Sequence, residues 1–310
     1  MIPLIIIAGP TATGKSERSF HLAKRLNSEI ISADSMQVYR YFDIGTAKPT
    51  IKDRKTIPHH LTDIINPDEE YNAGRFKKDG RKIINKLHAK GKIPIVSGGT
   101  GLYISAIARG LSMAAPSDPE VRKSLRKSLE KEGCKVMHNE LLKVDPDAAK
   151  KINPADKFRI ERALEVYYLT GKPMSFLQSS EKHEINQYDV LYLVLNMDRS
   201  LLYQRINERV NRMIKKGLVN EVKAILARGY SDRLKPFQSI GYKEIVQYLR
   251  KELALEKAVE NIKKETRNFA KRQLTWFKKV SSTKWIKVDI EKPEMTDEAI
   301  YTAVQEHFNF

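Results

Sequence analysis

Cysteine is nearly absent from this chain. Cys134 is the only one, which excludes an internal disulfide and any multi-cysteine zinc site. With no sign of a paired base, its thiol reads as passive. Long apolar runs are also missing. Leu4 to Ala8 is too short for a bilayer span or a secretory core, and no later segment approaches the roughly 18 apolar residues that a spanning helix needs. We therefore expect no membrane insertion and a cytoplasmic protein. Acidic residues are the third scarcity: 38 Asp and Glu face 56 Lys and Arg, for a formal net charge of +18 and a pI near 9.7. Such an excess favours a polyanionic partner, because each phosphate met by a basic side chain releases condensed counterions. Nucleic acid is the first candidate and an anionic membrane surface the second. Internal repeats and low-complexity tracts are absent as well.

What is present is 310 residues, 41% of them hydrophobic, enough for a sizeable core and for two domains. Short apolar runs at Leu4–Ala8, Glu29–Ala33 and Ile93–Ser97 read as strands, with helical patterns at Lys15–Leu26 and Ala73–Lys90 between them. That alternation implies a parallel sheet with crossover helices. From 112 to about 188 the chain turns helical and charged; Asp118-Pro119-Glu120 looks like a helix start and Gly171 like a stop. Strand signal returns at Tyr188–Asn196 and again near Trp285–Val288, with helical patterns near 200–216, 219–228 and 255–280 between them.

Between the first apolar run and the first helical pattern stands "GPTATGKS": Gly9, Pro10, Thr11, Ala12, Thr13, Gly14, Lys15 and Ser16. It matches G-x-x-x-x-G-K-[ST] in the strand-to-helix setting that its mechanism requires. Backbone N–H groups converge on an anion there, the helix N-terminus adds partial positive charge, Lys15 bridges phosphate oxygens and Ser16 offers a hydroxyl to Mg2+. The motif leaves open whether the anion is a nucleotide triphosphate or another diphosphate. The expected fold is thus α/β: a P-loop NTPase-like parallel sheet core with flanking helices, built from 1–111 and 189–310, and a helical insertion at 112–188.

In a parallel sheet the carboxyl end of a strand beside the phosphate loop faces the site. Asp34, after Ile30–Ala33, stands at such an end. It has three possible roles: holding Mg2+, accepting a proton from a nucleophile, or capping a helix. Ser35 and Gln37 follow as hydrogen-bonding candidates for a base edge, or as loop polars. The stretch "SGGTGLY" ends the third run and puts the Thr100 hydroxyl in a glycine-rich turn at the same sheet edge. His59 and His60 lack further metal-type partners and read as structural.

Together "GPTATGKS", "SADSMQVYR", "DIGTAKP", "PHHLTDI", "SGGTGLY", "FRIERALEVYYLTGKP", "GLVNEV", "SIGYKE" and "AKRQLTWF" resemble the tRNA dimethylallyltransferase family, in family order and over nearly the whole chain. The resemblance implies transfer of a dimethylallyl group from dimethylallyl diphosphate to N6 of adenosine 37 in tRNAs reading codons that begin with U, with Mg2+ required. It points to Asp34 as general base, Thr100 near the reacting atoms and Arg209 as a diphosphate ligand. It further implies anticodon stem-loop contacts from Ser35, Met36, Gln37, Arg122, Lys157, Phe158, Arg159, Ile160 and Arg162. The cysteine-and-histidine finger of eukaryotic members is missing, as in the compact bacterial form, and a monomer is expected.

Arg205, Arg209, Arg212 and Lys216 fall at i, i+4, i+7 and i+11, one basic stripe beside an apolar stripe of Leu202, Ile206, Val210 and Met213. Apart from Arg209, these cations are candidates for RNA phosphates or for a solvated face. Lys264, Arg267, Lys271 and Lys278 line a second helix, on which Trp276 and Phe277 read as core. A P-loop kinase of small molecules, a transferase acting on a free nucleotide, and an NTP-driven RNA binder are the rival readings.

Overall fold

The computed structural model describes residues 1–110, 117–180 and 187–309. Six strands are formed among these: β1 (Ile2–Ala8), β2 (Ile30–Ala33), β3 (His59–His60), β4 (Ile95–Gly98), β5 (Tyr188–Asn196) and β6 (Thr283–Lys287). They make one sheet in the order β3-β2-β4-β1-β5-β6, and every neighbouring pair is parallel. Alternate residues of β1 enter opposite cores: Leu4, Ile6 and Ala8 pack on one face, Ile5 and Ile7 on the other. Both faces are covered, which is why the central strands read as unbroken apolar runs rather than as alternating patterns.

Register sets the site. Ala8 pairs with Gly98 and Ala33 also pairs with Gly98, so β1, β2 and β4 end level and their following loops share one sheet edge. On the other side Ala8 is matched by Val194 of β5.

His59 and His60 were expected to be structural, and they form the edge strand β3. His60 Nε2 lies 2.7 Å from Glu29 Oε2, and Lys92 Nζ is 2.8 Å from the same carboxylate. His59 Nδ1 lies 2.7 Å from the Ile57 carbonyl. A helix at Ile51–Thr56, held by a Thr50–Asp53 capping box, also escapes the apolar pattern because none of its residues is buried.

The chain divides into two compact units, one of Met1–Ala108 with Asn186–Phe310 and one of Arg109–Ile185. The expected boundary at 112 lies outside the described residues. The second unit is helical. Asp118 accepts hydrogen bonds from the Glu120 and Val121 amides and so starts the helix Pro119–Glu132, and Gly171, at φ 67°, ends the helix Lys157–Thr170. Its core comprises Leu125, Leu129, Met137, Leu141, Ile160, Ala163 and Leu164.

Candidate active site

The helix Lys15–Arg25 starts at Gly14, whose φ of 89° is left-handed and whose position carries no side-chain cap. Its first amides are therefore left for an external acceptor, and the helix dipole favours an anion there. A pocket of about 230 Å³ opens in front of them, lined by Gly14, Lys15, Ser16, Arg205, Arg209 and Arg212 among others. The arginines come from the helix Arg199–Lys215. Its buried residues Leu202, Ile206, Val210 and Met213 face the core, which turns the neighbouring basic stripe toward the loop.

Arg205 and Arg212 were candidates for RNA phosphates or for a solvated face; both line the pocket in front of the loop. Arg205 Nε donates to the Ala12 carbonyl at 3.0 Å. Ala12 itself sits at φ 67°, a conformation an alanine adopts only when its surroundings impose it. Periodicity revealed the stripe, but only the packing shows what it faces.

The pocket carries an excess of desolvated positive charge. Lys15 donates to the Pro10 carbonyl at 2.6 Å, and burial, then the nearby Arg209 cation, bring its ammonium down to about 7 against a partial counter-effect of Asp34. Burial likewise lowers Arg209, with Asp34 opposing and Arg212 adding to the effect. An anion bound here restores the balance that burial has upset.

A second cavity, of about 310 Å³, adjoins the first. Asp34, Ser35, Thr100, Arg209 and Gln273 contribute to its polar side, and Met36, Val210, Met213, Ile240, Ile262 and Phe269 to its apolar side. Arg209 lines both spaces, so it stands where they meet. Asp34 caps a turn rather than a helix: its Oδ1 accepts from the Met36 amide at 2.8 Å and the Gln37 amide at 3.3 Å. These bonds fix the carboxylate and leave Oδ2 without a hydrogen-bond partner among the described residues. Thr100 binds both strand ends together, donating its amide to the Ala33 carbonyl at 3.1 Å and accepting the Ser35 amide on Oγ1 at 3.1 Å.

Two of the candidate RNA-contact residues are buried, and one core expectation needs correction. Gln37 sits within its own loop: Ser32 Oγ donates to its Oε1 at 2.9 Å, and its Nε2 donates to the Thr46 carbonyl. Ile160 is fully buried within the second unit's core. Trp276 is not core but 39% exposed. Its indole lies against Gly101, where a side chain would overlap it, while Phe277 is buried as expected.

In the second unit Arg122 and Arg162 both pair with the buried Glu165, at 2.8 and 2.5 Å. Lys157, Phe158 and Arg159 are exposed, Phe158 at 80%, with Arg159 Nε 3.3 Å from Asp156.

Two side chains that hold the site were not singled out from the sequence. Gln273 accepts the Thr11 amide and donates to the Gly99 carbonyl, each at 2.9 Å. Glu221 accepts the amides of Asp43, Ile44 and Gly45. A polar residue inside a helical pattern gives no sign of such distant partners.

No group of three or more His, Cys, Asp or Glu residues that could hold a metal occurs among the described residues. The donor set near the loop, the exposed Ser16 hydroxyl with no carboxylate cluster, fits a Mg2+ ion that arrives on phosphate oxygens and keeps several waters. No helix among the described residues is long and apolar enough to cross a membrane.

A parallel sheet whose first strand runs through a glycine-bounded loop into a helix N-terminus defines a P-loop-like α/β protein. Comparison with known proteins makes the class narrower. The IPP transferase family model matches residues 37–280 and the isopentenyl transferase model residues 2–62. The chain is 49% identical to a tRNA dimethylallyltransferase of Carboxydothermus hydrogenoformans, over 96% of each chain. It is 48% identical to one of Pelotomaculum thermopropionicum, over 93% of this chain and 91% of that one. Among solved structures it resembles the tRNA isopentenylpyrophosphate transferase of Bacillus halodurans (TM-score 0.72, 38% identity, 100% of this chain and 99% of that one). It also resembles a eukaryotic dimethylallyltransferase acting on tRNA (TM-score 0.84, 32% identity, 100% and 80%). The chain belongs to the IPP transferase family.

Proposed function

We propose that this protein is a tRNA dimethylallyltransferase that moves the dimethylallyl group of dimethylallyl diphosphate to N6 of adenosine 37. The observation that carries the reading is the meeting of two spaces at Arg209, a cationic phosphate pocket and a cavity holding Asp34 and Thr100. The diphosphate lies in the first and the adenine enters the second, leaving the anticodon-loop stack to do so.

An exocyclic adenine amine is a weak nucleophile because its lone pair is delocalised into the ring. As the new N–C bond forms, Asp34 takes the amine proton on Oδ2 while Oδ1 stays bound to its turn. The allylic C–O bond breaks with its electron pair leaving on the diphosphate. Lys15, Arg205, Arg209 and the amides that open the helix at Lys15 stabilise that charge as it develops. Ser16 would hold Mg2+, which when bound neutralises charge on the diphosphate. Thr100 keeps the Asp34 turn against β4 and so orients the base.

On the acceptor side, Lys157, Phe158 and Arg159 supply cations and an aromatic face suited to an RNA loop. Arg122 and Arg162 are tied to Glu165 and hold their helix pair together beside the exposed residues. The +18 charge supports a polynucleotide over a free nucleotide as acceptor. We take the protein to work in the cytoplasm as a monomer. The test offers the enzyme unmodified tRNA and AMP at equal concentration with labelled dimethylallyl diphosphate and Mg2+. Label on tRNA is expected; label on AMP alone overturns the reading.

A further inference from the structure

We propose that Gln273 is a positioning residue that sets the distance between the leaving-group loop and the acceptor side of the site. The inference rests on the transfer reading above. Gln273 lies near the end of the helix Leu255–Phe277, only 6% exposed, and both ends of its amide are engaged. Oε1 accepts the N–H of Thr11, in the phosphate loop after β1. Nε2 donates to the carbonyl of Gly99, in the loop after β4.

Gly99 precedes Thr100, whose hydroxyl oxygen accepts the Ser35 amide, and Ser35 follows Asp34. An unbroken path of hydrogen bonds and peptide links therefore runs from the loop that holds diphosphate to the carboxylate that takes the proton. The contact is close by construction: a side chain at Gly99 would overlap the Gln273 amide, so the glycine lets the helix approach.

At neutral pH an amide meets both demands, because one planar group must present an acceptor to Thr11 and a donor to Gly99. An ionised glutamate presents acceptors to both and repels the Gly99 carbonyl. Methionine keeps the length and satisfies neither. The adjoining buried residues of this helix, Ala270 and Phe277, are apolar, so burial alone does not require a polar residue here. Gln273 also lines the cavity beside Asp34 and Thr100, where a shift of about 1 Å in the reacting groups costs on the order of 100-fold in rate.

The test compares full-length wild type, Gln273→Met and Gln273→Glu by single-turnover transfer to tRNA, by calorimetric binding of dimethylallyl diphosphate, and by thermal melting. The Met variant should lose on the order of 30- to 100-fold in rate, with diphosphate affinity held within about threefold and a melting shift small enough to leave it folded at the assay temperature. The Glu variant should be similarly slow at pH 8. Relative to wild type at each pH, it should recover as the pH falls toward about 5, because burial at this position raises the carboxyl above its ordinary value of about 4.3 and the protonated form regains a donor. The Met variant should show no such recovery.

A Met variant within about threefold of the wild-type rate overturns the proposal. So does a rate loss wholly accounted for by lost diphosphate binding, or a Glu variant whose pH profile parallels that of Met. Absence of transfer by the wild-type protein would instead overturn the functional reading itself.

Discussion

Replacing Glu221 with alanine should loosen the wall of the acceptor cavity and lower the stability of the unit that carries it. Glu221 lies in the helix Leu218–Ala227 and reaches the segment Asp43–Gly45. Its Oε2 accepts the Asp43 amide at 3.1 Å and the Ile44 amide at 2.7 Å, and its Oε1 accepts the Gly45 amide at 3.3 Å and the Tyr242 hydroxyl at 2.6 Å. Burial, then the Glu221 charge, pushes the Tyr242 phenol well up, so this hydroxyl stays a donor throughout the working pH range.

Alanine leaves three donors, the Asp43 and Ile44 amides and the Tyr242 hydroxyl, without this acceptor, while the Gly45 amide keeps the Tyr242 oxygen at 3.1 Å. At about 1–3 kcal/mol for each buried unsatisfied group, and with water reaching the half-exposed end of the segment, the loss should be about 3–5 kcal/mol. For a unit of this size that lowers the melting midpoint by about 6–20 °C. Tyr242→Phe removes one donor to Glu221 and one acceptor for Gly45 and should cost about 1–2 kcal/mol. Because the two side chains share partners, the double variant should be less destabilised than the sum of the single ones. Thermal melting of the four proteins measures this. A shift below about 2 °C for Glu221→Ala would refute the reasoning, since the carboxylate would then hold nothing that water does not hold as well.

Two further predictions concern the separate units. Asp34→Asn should lower the transfer rate on the order of 100- to 10,000-fold while diphosphate affinity changes little; loss of affinity with an unchanged rate at saturation would assign Asp34 to binding instead. In the second unit Glu165 is held below its ordinary value of 4.5: burial raises it, but the hydrogen bonds from Arg162 and Arg122 outweigh that. A depressed carboxyl stabilises the fold above the unfolded value and ceases to do so as pH falls through the folded one. The exchange protection of helix Lys157–Thr170 relative to Glu165→Gln should therefore be greatest near neutral pH and shrink below about 4.5; a difference that does not vary with pH would contradict it.

Much of the core was legible because a sheet buried on both faces leaves continuous apolar runs, which is how β1, β2, β4 and β5 stand out. β3 was not, being two histidines whose only strand signal is pairing with Ile30 and Ile31. The phosphate loop was legible because Gly9, Gly14, Lys15 and Ser16 need fixed spacing in sequence. Arg205 and Gln273 come from far along the chain, and their partners Ala12, Thr11 and Gly99 are joined to them only by folding. Motif blocks do not say which of their side chains point inward. Gln37 and Ile160 stand inside segments that read as RNA contacts, yet one side chain braces a neighbouring loop and the other fills a core. Trp276 was read inward for its apolar bulk, whereas it covers Gly101 at the rim of the site.

The central claim is that a phosphate loop of nucleotide-binding type serves here to release diphosphate from a prenyl donor while Asp34 deprotonates an RNA base. The most direct measurement is nucleoside mass analysis of an unmodified tRNA and of the same tRNA with guanosine at position 37, each incubated with the protein, Mg2+ and dimethylallyl diphosphate. The account predicts N6-dimethylallyladenosine from the first and none from the second. Equal modification of both tRNAs, or ATP hydrolysis stimulated by tRNA with no modified nucleoside, would contradict it.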